Sequence, residues 1–403
     1  MYIQRTAQDL VNRYSEIFKV VLVTGARQVG KTSLLKHCGP ERNYVSLDDL
    51  SERELAVKEP KLFLERHKAP LIIDEIQYAP NLLSYIKLIV DSSEEKGRYW
   101  LTGSQQFHLM KNVSESLVGR VGIIDLMGFS LAEMHGNPKI IPFFPSLKSV
   151  EEKRATSRTY TSTEIFKIIF NGSFPALNSD KAESDRDAFY SAYIQTYLER
   201  DIRDLASVSN ELKFLHFIRA VAARTGQVLK YSEIARDFEI SEPTAKTWLS
   251  LLVSSNMVYL LEPYFRNLSK RMTRMPKIYF LDTGLCAYLT GWSSAEVIEK
   301  GAMNGAFFET FVVSEILKNY RHTGQRPFFN WYRDASQREI DLLIERDRKL
   351  HPIEIKLTAN PTAAMVKNFK VLENPGFGCL VCMRDTDIPL TANVSAIPVG
   401  YIE

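Results

Sequence analysis

Val20-Val21-Leu22-Val23-Thr24 runs directly into Gly25-Ala26-Arg27-Gln28-Val29-Gly30-Lys31-Thr32, and Ser33-Leu34-Leu35 continues as a helical run. The first five residues are β-branched and apolar, the composition of a strand buried on both faces. G-x-x-x-x-G-K-T between such a strand and a helix is the phosphate-loop signature. Its glycines let backbone N–H groups curl around phosphates, Lys31 can bridge the β and γ phosphates, and Thr32 can ligate Mg²⁺ at the helix N-terminus. Gly25, Ala26, Arg27, Gln28, Val29, Gly30, Lys31, Thr32 and Ser33 are therefore the expected nucleotide contacts, with ATP and Mg²⁺ as cofactors.

The rest of the first third supplies the partners that phosphoryl chemistry needs. A second apolar strand, Leu71-Ile72-Ile73, ends in Asp74-Glu75. Asp74 would ligate Mg²⁺ beside Thr32, and Glu75 would orient or deprotonate the attacking water. An adjacent glutamate favours transfer to water over transfer to an acceptor hydroxyl. A third strand, Gly97 to Leu101, reaches Thr102-Gly103-Ser104-Gln105, where Ser104 either holds the water or the γ-phosphate or only shapes a turn. Arg120 precedes the strand Val121 to Leu126. It either enters a neighbouring subunit's nucleotide site or caps a helix or pairs with a surface acid.

The order of these motifs resembles an AAA+ ATPase. Thr24 to Thr32, Leu47-Asp48-Asp49, Asp74-Glu75-Ile76-Gln77 and Thr102-Gly103-Ser104 resemble in particular the AAA_14 family of prokaryotic ATPases. That resemblance implies that Lys31 is nucleotide ligand, Asp74 metal ligand, Glu75 catalytic base, Ser104 sensor and Arg120 arginine finger.

With 403 residues, 45% hydrophobic and 25% charged, the chain is long enough for several ordinary globular domains. Fifty-one Lys and Arg against 48 Asp and Glu give only +3, which excludes a bulk polyanion binder. No run approaches the ~18 apolar residues of a membrane span, and the polar start lacks a signal core, so a cytoplasmic protein with no membrane partner is expected. The four cysteines fit a reducing compartment, and Cys379-x-x-Cys382 reads as part of a buried strand.

Residues 136 to 162, rich in Pro, Ser, Lys and Thr, read as a loop or insertion, and a helical pattern runs through Phe189 to Ile202. Arg200 and Arg203 either reach the nucleotide from there or form ion pairs within the domain. From Glu211 to about Tyr264, three helical runs precede the strand Met257 to Leu261. The third begins at the N-cap Ser241 with Pro243 in its first turn. This is a winged helix-turn-helix pattern. Thr244, Lys246, Thr247 and Ser250 give it a polar face, and Arg266, Lys270, Arg271, Arg274 and Lys277 form the densest basic stretch, suited to phosphate contact. Nucleic acid, DNA before RNA, is the expected partner, with subunit docking as the alternative use.

In the last hundred residues a helix starting near Gly305 carries Glu309. The strands Arg338 to Ile344 and Pro352 to Leu357 follow, separated by a charged turn from Glu345 to Lys349. Alternation puts Glu354 and Lys356 on one face, and a hairpin would bring Asp341 close to Glu354. Asp341, Glu354 and Glu309 could then ligate metal, with Lys356 positioning water or offsetting phosphate charge.

This set resembles a sparse PD-(D/E)XK nuclease core. The segments Tyr197 to Asp201, Tyr279 to Leu285 and Glu339-Ile340-Asp341 resemble the DUF4143 region that accompanies AAA_14 domains. The expected fold is α/β in four parts: a P-loop AAA+ domain with a parallel sheet (1–135), a linker and helical lid-like region (136–210), a winged helix-turn-helix domain (211–300), and a restriction-endonuclease-like domain (301–403). The expected function is Mg²⁺-dependent ATP hydrolysis that changes conformation on nucleic acid, in a homo-oligomer if Arg120 acts in trans. An ATP-gated scaffold with a degenerate nuclease-like domain and an ATP-regulated metal-dependent nuclease are the alternatives.

Overall fold

Five strands, β1 (Val20–Thr24), β2 (Asn43–Ser46), β3 (Leu71–Asp74), β4 (Tyr99–Gly103) and β5 (Val121–Asp125), form one parallel sheet in the order β2-β3-β4-β1-β5. Parallel neighbours require crossovers, and helices on both faces supply them. The alternation along β1 is explicit: Val21 and Val23 face one core with Ile72 and Trp100, while Val20 and Leu22 face a second core with Leu71, Ile73 and Leu101. Burial of every residue of β1, β3 and β4 explains their unbroken apolar runs.

These elements belong to a computed structural model that describes residues 2–104, 113, 116–178, 185–197, 211–265, 275–326 and 328–403. Gln105, Arg200, Arg203, Arg266, Lys270, Arg271, Arg274 and the helical pattern beyond Tyr197 lie outside the described residues.

The middle of the chain differs from the expectation of a loop over 136–162. A helix, Leu147–Thr156, begins at Ser146, whose hydroxyl accepts from Ser149 N–H. Val150 is the one residue it buries, so no apolar stripe betrays it in the sequence. Arg154 with Asp387, and Lys153 with the Glu403 carbonyl, hold it to the C-terminal region. A second helix, Ser162–Asn171, starts at a Thr161/Glu164 capping box. Helices Glu211–Ala222, Tyr231–Asp237 and Glu242–Ser254 follow, the last capped by Ser241. They precede an antiparallel sheet of β6 (Gln227–Val228), β7 (Val258–Leu261) and β8 (Lys277–Phe280), in the order β6-β8-β7.

The C-terminal region is a mixed sheet of six strands: β9 (Phe328–Arg333), β10 (Glu339–Arg346), β11 (Lys349–Ile355), β12 (Gly378–Cys382), β13 (Ile388–Thr391) and β14 (Val394–Pro398), in the order β13-β14-β12-β11-β10-β9. The turn expected over 345–349 is tighter. Arg346 pairs with Lys349, leaving Asp347 and Arg348 at φ 53° and 60°, the left-handed pair of a two-residue hairpin. β11 also ends at Ile355, one residue before Lys356. Cys379 and Cys382 are buried on β12.

The helix Asn304–His322 joins this sheet to the ATPase sheet. Phe307, Phe308, Phe311, Val312, Ile316 and Leu317 enter the same core as β1, Ile124 and Ile353. Each such side chain contributes roughly 1.5–3 kcal/mol on burial. The two sheets are therefore joined by a shared interior, not by a tether.

Candidate functional site

The phosphate loop leaves the C-terminal end of β1, at the centre of its sheet. Gly25 has φ 142°, and a Cβ there would stand 2.0 Å from the Leu126 carbonyl oxygen, so only glycine fits. Gly30, at φ 93°, is the left-handed N-cap of the helix Lys31–Cys38. The Lys31 ammonium donates to the carbonyls of Gly25 (3.2 Å) and Ala26 (2.8 Å), so the side chain lies over the loop.

Thr32 and Asp74, both expected to ligate Mg²⁺, lie side by side. Thr32 Oγ1 donates to Asp74 Oδ1 at 2.7 Å, Thr102 Oγ1 donates to the same oxygen, and Tyr44 OH donates to Oδ2 at 2.9 Å. Burial and the neighbouring Asp74 carboxylate push the Tyr44 phenol up to about 12, keeping it a donor. Glu75 sits in the left-handed region at φ 57°, with its N–H on Thr102 Oγ1 at 3.1 Å. Gln77 Nε2 donates to Glu75 Oε2, and Ser104 Oγ stands 3.4 Å from that oxygen. Ser104 thus reaches Glu75 directly.

A cavity of about 780 Å³ opens over these groups, lined by Arg27, Gln28, Gly30, Lys31, Thr32, Ser33 and Glu75. Pro175, Ala176 and Thr196 close its other side. Sequence reading overlooked these three. Pro175 and Ala176 belong to the turn that begins at Gly172, and Thr196 to the helical pattern from Phe189, and neither pattern singles these residues out. Ser173 in that turn is held by Asp282, which accepts from its N–H (2.6 Å) and its hydroxyl (2.8 Å).

Arg120 lies on the surface. Its Nε and Nη2 grip Asp91, and Nη1 donates to the Val118 carbonyl at 2.8 Å. Within one chain it therefore has the surface-acid partner, and it does not line the cavity.

At the C-terminal candidate site, Lys356 Nζ lies 2.8 Å from Glu354 Oε1 and 3.4 Å from Asp341 Oδ2, which also accepts from Ile355 N–H at 3.0 Å. Asp341, Glu354 and Lys356 are thus brought together. Lys277, counted by sequence in the basic stretch suited to phosphate contact, is only 2% exposed. Its ammonium stands 2.9 Å from Glu309, 2.6 Å from Glu339 and 3.5 Å from Asp341. Its place in a phosphate-contacting stretch is therefore corrected: Lys277 is one of four buried β8 residues and enters the interior because these acids receive it. Burial pulls the Lys277 ammonium down, but Tyr279 and the three acids together hold it well above its ordinary value. Burial and Asp341 push Glu354 up to about 8, against the opposing pull of Lys356. Among the described residues, no group of three or more His, Cys, Asp or Glu is disposed to hold a metal ion. A metal does not fit these acids as they stand, because ammonium groups already occupy their faces.

The sheet and the loop geometry place the chain among P-loop ATPases of α/β architecture. Residues 18–135 match an AAA domain family, AAA_14, and residues 304–402 match a domain of unknown function, DUF4143. A further domain of unknown function, DUF8612, matches residues 162–296. The chain carries an AAA-type ATPase domain followed by a DUF4143 region, and it is an ATPase. It is 28% identical over 403 residues to the uncharacterized proteins Rv2008c of Mycobacterium tuberculosis and Mb2031c of Mycobacterium bovis, covering 99% of this chain and 84% of each relative. Among solved structures it is similar to the Walker-type ATPase PABY2304 of Pyrococcus abyssi (TM-score 0.46, 15% identity, 72% of this chain and 96% of that one). It is also similar to the RuvB branch migration motor of Thermotoga maritima (TM-score 0.31, 14% identity, 66% and 94%). Among the described residues no helix is long and apolar enough to cross a membrane.

Proposed function

We propose that the chain hydrolyses Mg²⁺-ATP with Glu75 as general base, and that the cycle changes its conformation on a nucleic acid, DNA before RNA. The 2.7 Å contact between Thr32 Oγ1 and Asp74 Oδ1 carries the first part: it joins the buried Asp74 carboxylate to Thr32, which lines the cavity together with Lys31 and Glu75. Thr32 and Asp74 would hold Mg²⁺, which supplies charge neutralisation on the transferring phosphoryl group. Lys31 offsets charge on the same group, Glu75 receives a proton from the attacking water, and Ser104 orients Glu75. Phosphate release from ATP under multiple turnover tests this, and its loss on Lys31→Ala ties it to the loop.

The nucleic-acid part is supported by the helix Glu242–Ser254, whose Lys246, Thr247 and Ser250 are exposed on one side next to a three-stranded sheet, the layout of a winged helix. Salt-dependent binding of duplex DNA, reduced by Lys246→Glu, tests it. The four-part division carries over into this reading, and the matched segment 162–296 spans its boundary at 210. Arg120 acts in trans in this scheme, within a cytoplasmic homo-oligomer.

The C-terminal region belongs in this reading to the restriction-endonuclease-like folds. The antiparallel run β9-β10-β11 followed by the parallel pair β11-β12 supports it, as does the meeting of Asp341, Glu354 and Lys356. Lys277 among the acids favours a module that does not cleave over a metal-dependent nuclease. Cleavage of DNA or RNA with Mn²⁺, abolished by Asp341→Ala, would reverse that preference.

A further inference from the structure

Arg5 stands outside every motif, yet it is 3% exposed and lies directly behind the phosphate loop. Nη1 donates to the Val29 carbonyl at 2.8 Å, and Nη2 donates to the carbonyls of Met127 (2.7 Å) and Gly128 (3.2 Å). Its Nε lies 3.2 Å from Glu133 Oε1 as an ion pair without hydrogen-bond alignment, and the guanidinium sits 4.7 Å from the centre of the Phe129 ring. One rigid fork therefore ties the end of the phosphate loop to the chain that follows β5.

The consequence follows from peptide geometry. In a trans peptide the C=O and the next N–H point to opposite sides. Holding the Val29 carbonyl outward on Arg5 aims the Gly30 N–H inward, and Gly30 lines the nucleotide cavity. The start of the loop is fixed from the same segment, since Leu126 N–H donates to the Thr24 carbonyl at 2.8 Å and the Leu126 carbonyl is packed on Gly25. Only the far end needs a side-chain anchor.

Glu133 supplies the counter-charge beside the fork and is itself held by backbone donors. Its Oε1 accepts from Thr6 N–H at 2.7 Å and its Oε2 from Ser130 N–H at 2.9 Å. Because Glu133 offsets the guanidinium charge, the contribution of Arg5 to phosphate binding is geometric more than electrostatic.

We propose that Arg5 is a positioning residue for the ATP phosphates, acting through the Val29–Gly30 peptide. The proposal rests on reading residues 25–32 as the phosphate loop. Its test uses the full chain, with ATP affinity by titration calorimetry, steady-state KM and kcat, and melting temperature for wild type, Arg5→Met, Arg5→Lys and Glu133→Gln. Arg5→Met is expected to weaken ATP binding and raise KM by about tenfold or more, the effect of one misaligned hydrogen bond to a charged group. Arg5→Lys, which keeps one donor, should recover part of that loss. Glu133→Gln removes the buried charge but leaves the carbonyl contacts, so it should lower the melting temperature while ATP affinity stays within about twofold of wild type. A folded Arg5→Met protein with wild-type affinity would overturn the proposal. So would affinity losses that track melting temperature across all three variants, because a merely structural role predicts that. If Arg5→Met does not fold, Arg5→Lys against Glu133→Gln decides by the same criterion. Wild-type protein that fails to bind ATP would sink the phosphate-loop reading itself, a distinct result.

Discussion

Lys277 Nζ lies 2.9 Å from Glu309 Oε1, joining β8 of the middle region to the long helix that leads into the C-terminal sheet. Both side chains are largely buried, at 3% and 16% exposed. A buried pair of this kind contributes little relative to an apolar substitute, but removing one partner strands the other.

Lys277→Met should therefore destabilise the chain by about 3–5 kcal/mol, because Glu309, Glu339 and Asp341 lose a shared cation. Urea unfolding measures this. The double variant Lys277→Met/Glu309→Gln should regain part of the loss, and failure of either expectation would mean that the ammonium is not the structural counter-ion of the cluster.

Glu75→Gln removes the proton acceptor and keeps the shape of the side chain. Turnover should fall by about 10² to 10⁴ while ATP affinity is retained. Single-turnover phosphate release beside an equilibrium binding titration separates the two effects. Turnover close to wild type would reassign the base.

Glu133 gives a pH signature. Burial pushes its carboxyl up, but Arg5, His322 and the Ser130 N–H together hold it well below the usual carboxylate range. A depressed folded value means that the unfolded chain binds more protons, so the stabilisation is complete above the unfolded value of about 4.3 and is lost as pH falls toward the folded value. The stability gap between wild type and Glu133→Gln should be constant near neutrality and close below about pH 4. A gap that widens on acidification would contradict the ion-pair assignment.

The arrangement of residues was legible in the sequence where it is local. The strand, the glycines of the loop and the Asp74-Glu75 pair occupy short windows whose residue types are dictated by backbone conformation and strand burial. Sequence reading also brought Asp341 to Glu354, because period-two alternation and a hairpin suffice to pair them. It missed Arg5, whose partner Glu133 is 127 residues from its neighbour Thr6, and it mistook Lys277, whose environment is assembled from β8, β10 and the helix Asn304–His322. No periodicity encodes such contacts. The helix Leu147–Thr156 escaped for a different reason: a polar surface helix is specified by its cap and by tertiary contacts, not by an apolar stripe.

Arg120 offers the sharpest test of assembly. In one chain it is exposed and engaged with Asp91, outside the cavity that holds Lys31 and Glu75. A finger acting in trans would let Arg120→Ala bind ATP normally while turnover falls by about 10³-fold or more. That result alone would not distinguish a neighbour from a rearrangement within the chain. Mixing Arg120→Ala with Glu75→Gln does, since both variants are inactive alone. In a mixed assembly an Arg120→Ala subunit keeps Glu75 and can receive Arg120 from its Glu75→Gln neighbour, so a fraction of turnover returns. Recovery should grow with total protein concentration, as assembly does. Absence of recovery at concentrations where light scattering shows the subunits associated would confine Arg120 to its surface pair with Asp91.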